Sequence, residues 1–98
     1  VERLETPPDL IVEVLSPATK PYDLLTKRDD YERCGVGEYW VIDPALNRSA
    51  DAPLARCWRR EGARLAPVPL APGATSLASH ALDGFILDLA ALTDLLRR

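Results

Sequence analysis

In the stretch DLIVEVLSP, residues 9–17, apolar side chains run almost unbroken, and Glu13 interrupts them at the centre. Strands this apolar are usually covered on both faces. A carboxylate there is costly unless it is paired, protonated or bound to something. Side chains alternate along a strand, so Asp9, Ile11, Glu13 and Leu15 share one face while Leu10, Val12 and Val14 share the other. At about 3.3 Å per residue, Asp9 and Glu13 stand roughly 13 Å apart, too far to grip one cation together. Asp9, following Pro8, reads as a turn at the strand entrance. Glu13 has no such role, which leaves a structural ion pair, a metal ligand or an acid–base group.

The next segment, DLLTKRDDYERCG, predicts a helix with Asp23 as its N-cap and Gly35 as its stop. At about 100° per residue, Leu24 and Tyr31 mark the buried stripe, Lys27 lies about 50° to one side and Arg28 flanks the other. A lysine stem there can run along apolar surface and bring its ammonium to Glu13. Pairing with Asp23 one turn earlier, a surface contact of about 0.3–0.5 kcal/mol, is the competing reading.

These residues need a frame. VGEYWVIDP is a second strong strand, rich in aromatic and β-branched residues and closed by Asp43-Pro44. A helix between two such strands predicts a crossover that lays them side by side in parallel. ALNRSADAPLA is loop-like, and RCWRREGARLAPVPL reads as a hairpin turning at Glu61-Gly62, with Pro67 and Pro69 confining its second arm to an edge. APGATSLASHALDG reads as irregular. In FILDLAALTDLLRR, Asp88 caps a helix with Leu89, Leu92, Leu95 and Leu96 on one side and Arg97 and Arg98 at the negative end of its dipole. The expected fold is α/β or α+β, one sheet with helices.

The chain of 98 residues is one small domain by length, and its apolar share of 47% is that of a globular protein. It lacks Met and opens on the polar run VERLETPPD, so a fragment of a longer chain is expected. No targeting motif is present, and no apolar run approaches the roughly 20 residues that cross a membrane. Cys34 and Cys57 form no metal-binding pattern with the single His80, so a zinc site is not assembled from these residues. They read as reduced thiols in a cytoplasmic protein. A net charge of −3 supplies no overall attraction for nucleic acid, although local clusters steer binding and cation-holding enzymes need acidic residues.

Taken together, PPDLIVEVLSPAT, YDLLTKRDDYERCGVGEYWVIDP and GFILDLAAL resemble the Uma-type restriction endonucleases of the PD-(D/E)XK nuclease superfamily, with spacing kept over nearly the whole chain. The resemblance implies a restriction-endonuclease-like core, a mixed sheet flanked by helices, and Mg²⁺-dependent hydrolysis of DNA phosphodiester bonds. It makes Glu13 the metal-binding acid, with the carbonyl of Val14 as a further ligand. The superfamily's E-x-K lysine is absent, because Leu15 stands at that position; the family pattern places the lysine on the following helix, where Lys27 matches. Family members also carry an upstream helix and strands with another acidic ligand. A truncated nuclease-like domain over 1–98 with half an active site is therefore expected, inactive alone, with an exposed sheet edge that invites a homodimer. The alternative is a degenerate, non-catalytic nuclease fold serving as an interaction or oligomerisation module.

Mg²⁺ suits these residues, since it prefers oxygen ligands and keeps several waters. Asp9, Asp23 and Asp43 are possible borders of the site. Arg56 and Arg60 flank Trp58 on one strand face and are candidate phosphate contacts, with an ordinary solvated strand as the plainer reading. Tyr22, Tyr31, Tyr39, Trp40 and Trp58 read as packing residues rather than base-stacking platforms, and His80 is given no role.

Overall fold

Glu38 to Ile42, five residues in sequence, are all buried, so this strand lies at the centre of the molecule with both faces covered. The computed structural model describes residues 6–15, 21–43, 55–70 and 76–96. Along the chain these form β1 (Leu10–Val14), α1 (Pro21–Cys34), β2 (Glu38–Ile42), β3 (Ala55–Glu61), β4 (Arg64–Val68), β5 (Ser76–Ala78), β6 (Ile86–Asp88) and α2 (Leu89–Leu96). One sheet has the order β1-β2-β3-β4, and β5 pairs with β6 in a separate ribbon. β1 and β2 run parallel, as the crossover through α1 predicts, with Glu13 in register with Val41. β2, β3 and β4 are antiparallel neighbours. The result is the mixed α+β sheet expected from the sequence.

Alternation on β2 divides the core into two layers. Tyr39 and Val41 face α1, where Ile11, Leu15, Leu24, Tyr31, Trp58 and Leu65 close around them. Trp40 and Ile42 face the other way, onto Cys57, Leu77, Leu89 and their neighbours from the small ribbon and α2. Trp40, 1% exposed, anchors that second layer. An aromatic side chain so buried removes roughly 150–250 Å² from water, a gross stabilisation of about 4–6 kcal/mol before entropy is counted.

The way α1 is fastened decides which of its side chains reach the sheet. It begins at Pro21, whose fixed φ suits the first helical position, so Asp23 lies inside the first turn rather than capping it. It ends where expected: Gly35 takes φ 91° while the Val36 N–H reaches back to the Tyr31 carbonyl at 3.1 Å, a six-to-one closing turn. Arg60 on β3 reinforces that end, its guanidinium donating to the carbonyls of Glu32 at 2.7 Å and Val36 at 2.8 Å. The Glu32 carboxylate in turn accepts the Leu65 N–H at 2.8 Å. The helix is thus held by its C-terminal end to the β3–β4 hairpin, which orients the remainder over β1 and β2.

The hairpin turns after Glu61 with Gly62 at φ 61°, and β4, which contains Pro67, lies at the sheet edge as the proline requires. Asp88 caps α2 by accepting the Ala91 N–H at 3.0 Å. The stretch read as irregular, described from residue 76 onward, holds a strand: β5 lies within it and pairs with β6. A three-residue strand carries too little pattern to be seen, and a lone two-stranded ribbon is marginal in water; here Leu77 and Leu87 pack it onto the Trp40 layer. The expectations for Arg97 and Arg98 and for most of the segment 45–55 fall outside the described residues. Among the described residues no helix is long and apolar enough to cross a membrane.

Gly37, at the entry to β2, is held by close backbone approach. A Cβ there would stand 2.8 Å from the carbonyl oxygen of Asp9, and backbone yields less readily than a side chain. Gly37→Ala is expected to destabilise the fold by about 1–3 kcal/mol, measured by urea unfolding, by prising the start of β1 from β2.

Candidate active site

Glu13 points from β1 toward α1, and Lys27 descends from α1 to meet it, Nζ lying 2.8 Å from Oε1. Of the two partners open to Lys27 in the sequence, the helix orientation brings it to Glu13; the side chain of the other, Asp23, lies outside the described ones. The carboxylate retains 19% of its side-chain exposure and the lysine 48%, so the pair lines an open surface rather than a sealed core. A salt bridge at this exposure contributes little to stability, about 0–1 kcal/mol.

Two phenols complete the surroundings of Glu13. Tyr39 donates its hydroxyl to Oε2 at 3.2 Å, and Tyr31 donates to Oε1 at a longer 3.4 Å. Tyr39 is fully buried, with its ring stacked on Trp58 at 5.4 Å and edge-on to Tyr31 at 5.0 Å. Burial, then the Glu13 charge and its hydrogen bond, push the Tyr39 hydroxyl well above its ordinary value. Burial and Glu13 raise Tyr31 as well, against a lowering from Lys27. Both phenols therefore hold their protons at neutral pH and serve as donors, not bases. Packing, the role expected of both aromatics, is what their rings do. Their hydroxyls were not anticipated, because periodicity assigns a face to a ring and says nothing of what its oxygen reaches.

The backbone of β1 adds an acceptor. In a parallel ladder alternate residues turn their N–H and C=O groups to opposite sides. The Leu15 N–H donates to the Ile42 carbonyl at 2.8 Å, which places Glu13 and Leu15 toward β2 and turns the Val14 carbonyl to the outer edge. That edge carries no further strand among the described residues. Asp43 directly follows β2 at this same end of the sheet, beside the Val14–Ile42 pair. Asp9 is exposed at the opposite end of β1, and the Asp23 side chain falls outside the described ones.

Glu13 and the Val14 carbonyl are hard oxygen donors, the kind that Mg²⁺ or Mn²⁺ accepts while keeping most of its waters. Among the described residues no three His, Cys, Asp or Glu side chains cluster closely enough to hold a metal ion.

The two candidate phosphate-binding arginines part company. The Arg60 guanidinium is engaged by carbonyls at the end of α1 and in its own turn. The Arg56 side chain, opposite Val41 in register, is exposed and makes no hydrogen bond or ion pair among the described residues. Cys34 and Cys57 are buried thiols, and burial pushes the Cys57 thiol up to about 11, which makes it a core residue and a poor nucleophile.

A second carboxylate escaped the sequence altogether. Glu38, 2% exposed, accepts the Ser79 hydroxyl at 2.7 Å, the Ala81 N–H at 3.0 Å, the His80 N–H at 3.1 Å and the Trp40 indole N–H at 3.2 Å. It ties the segment after β5 to the sheet on the face away from Glu13. His80, given no role from the sequence, contributes its backbone here.

The family model Uma2, described as a putative restriction endonuclease, covers residues 1–90. No curated protein matches the chain.

Proposed function

The chain belongs to this restriction endonuclease family, and on that premise we propose that it is a nuclease domain that hydrolyses DNA phosphodiester bonds with Mg²⁺. The observation that carries the proposal is the meeting of Glu13 and Lys27 at 2.8 Å, from different elements, on an open surface. Glu13 and the Val14 carbonyl would hold the cation, with Asp43 at the border. A divalent ion so held lowers the pKa of a bound water and offsets charge on the phosphate oxygens.

The chain's own residues do the rest. Lys27 places a cation beside the same carboxylate, where it stabilises charge building on the phosphate as the bond breaks. Its partial exposure leaves it within reach of a substrate. Arg56 offers an exposed guanidinium on the same sheet face as Glu13, suited to a backbone phosphate away from the reacting one. Tyr31 and Tyr39, locked as donors, take no proton from water.

A non-catalytic reading draws on the same contacts, since Lys27 and two phenols already satisfy much of the carboxylate. Plasmid nicking by the full-length protein separates the two. Wild-type protein is expected to convert supercoiled to open-circular DNA with Mg²⁺ and not with EDTA, and Glu13→Gln to abolish the conversion. Equal nicking by wild type and Glu13→Gln would reject the assignment of Glu13, and absence of nicking by wild type would favour the binding module.

A further inference from the structure

We infer that Tyr39 is a positioning residue that gives the two oxygens of Glu13 different tasks, reserving Oε2 for a single bond to the cation. This rests on the proposed role of Glu13 and extends it to a specific atom. A carboxylate has about four lone-pair directions, two on each oxygen. Oε1 receives Lys27 at 2.8 Å and Tyr31 at 3.4 Å, so both of its directions are occupied. Among the described residues Oε2 receives the Tyr39 hydroxyl alone, at 3.2 Å, and keeps one direction open. A cation therefore binds Glu13 through one oxygen, with the carboxylate plane fixed beforehand.

Tyr39 is the member of this set that cannot drift. It is fully buried in the centre of β2 and clamped between Trp58 and Tyr31, whereas Lys27 is half exposed at the end of a flexible stem. Its hydroxyl approaches from β2, the strand beside β1, so its position depends on the parallel register that sets Glu13 opposite Val41. Partners of this kind orient a metal ligand and typically change metal affinity by about 10–100-fold when removed.

The test uses Tyr39→Phe, which removes one oxygen and leaves both ring contacts in place. Mn²⁺ binding to the full-length protein is followed by the electron paramagnetic resonance signal of the free ion, and Mg²⁺-minus-apo infrared difference spectra report how the carboxylate is bound. Bands lost in Glu13→Gln identify Glu13. Wild type is expected to show the wide splitting of carboxylate stretches that marks one-oxygen coordination. Tyr39→Phe is expected to bind Mn²⁺ about 10–100-fold more weakly and to change that splitting as the Tyr39 hydrogen bond to Oε2 is lost. If Glu13→Gln binds Mn²⁺ like wild type, the cation reading of Glu13 falls. If Glu13→Gln loses binding while Tyr39→Phe keeps wild-type affinity and splitting, that reading stands and the role of Tyr39 is overturned. A two-oxygen splitting in wild type overturns it as well, whether or not Tyr39→Phe folds.

Discussion

Glu38→Gln is expected to lower the thermal midpoint of this protein by roughly 8–24 °C, although the residue lies on the face of β2 away from Glu13. The buried carboxylate serves four donors: the Ser79 hydroxyl, the His80 and Ala81 N–H groups and the Trp40 indole. An amide offers one acceptor oxygen and turns an NH₂ group toward a donor, leaving at least one buried N–H unpaired. Hydrogen bonds to a charged acceptor are about twice as strong as neutral ones, and an orphaned buried donor costs about 1–3 kcal/mol. The expected loss is about 2–3 kcal/mol, a large share of the roughly 5–15 kcal/mol that holds a domain together.

The charge makes this stability depend on pH. Burial alone would raise the Glu38 carboxyl, but the Ala81 N–H, the Ser79 hydroxyl, the His80 N–H and the Trp40 indole outweigh it and hold the group below its ordinary value of 4.5. A group whose pKa is depressed on folding contributes fully above its unfolded pKa and loses that contribution as pH falls through the folded one. The gap in unfolding free energy between wild type and Glu38→Gln is therefore expected to be widest near pH 7 and to shrink as pH drops below about 4.5. Urea unfolding of both proteins across this range checks it, and a gap unchanged between about pH 7 and about pH 3 would sink the explanation.

Lys27→Met has the opposite profile. Methionine keeps much of the apolar stem and removes the charge, and the ion pair it breaks is partly exposed at both ends. Stability is expected to change by no more than about 1 kcal/mol. Mg²⁺-dependent DNA cleavage is expected to fall roughly 100- to 1,000-fold, the range seen when one preorganised donor to a developing charge is deleted. Parallel chemical denaturation and single-turnover cleavage assays read the two quantities separately. A variant that unfolds more easily yet cleaves at the wild-type rate would show that Lys27 only braces the helix.

The sequence was most informative where the deciding signals were local. Glu13 stood out because its neighbours are apolar, and the phase of Lys27 relative to Leu24 and Tyr31 comes from helical geometry over a few residues. The crossover between β1 and β2 made their meeting one of the two pairings open to Lys27, and the structure shows it. Glu38 had no such signal. Three of its four donors lie 41 to 43 residues further on, in a stretch whose short strand left no pattern. Arg56 and Arg60 were equivalent on paper, flanking Trp58 on one face; the end of α1 lies within reach of Arg60, which makes it a structural clasp.

From the amino-acid order alone came the parallel β1–α1–β2 unit, the glycine stop of α1, the edge placement of the proline-bearing β4, the Asp88 cap and the pairing available to Glu13. Each depends on periodicity or on one residue's backbone preference, and such properties act over one or two turns of chain. The tertiary structure alone decided which polar atoms meet: Tyr39 and Tyr31 on Glu13, Arg60 on the helix end, and four donors on Glu38. A hydrogen bond tolerates only a few tenths of an ångström, and that tolerance is set by how α1 crosses the sheet and how the β5–β6 ribbon docks beneath it.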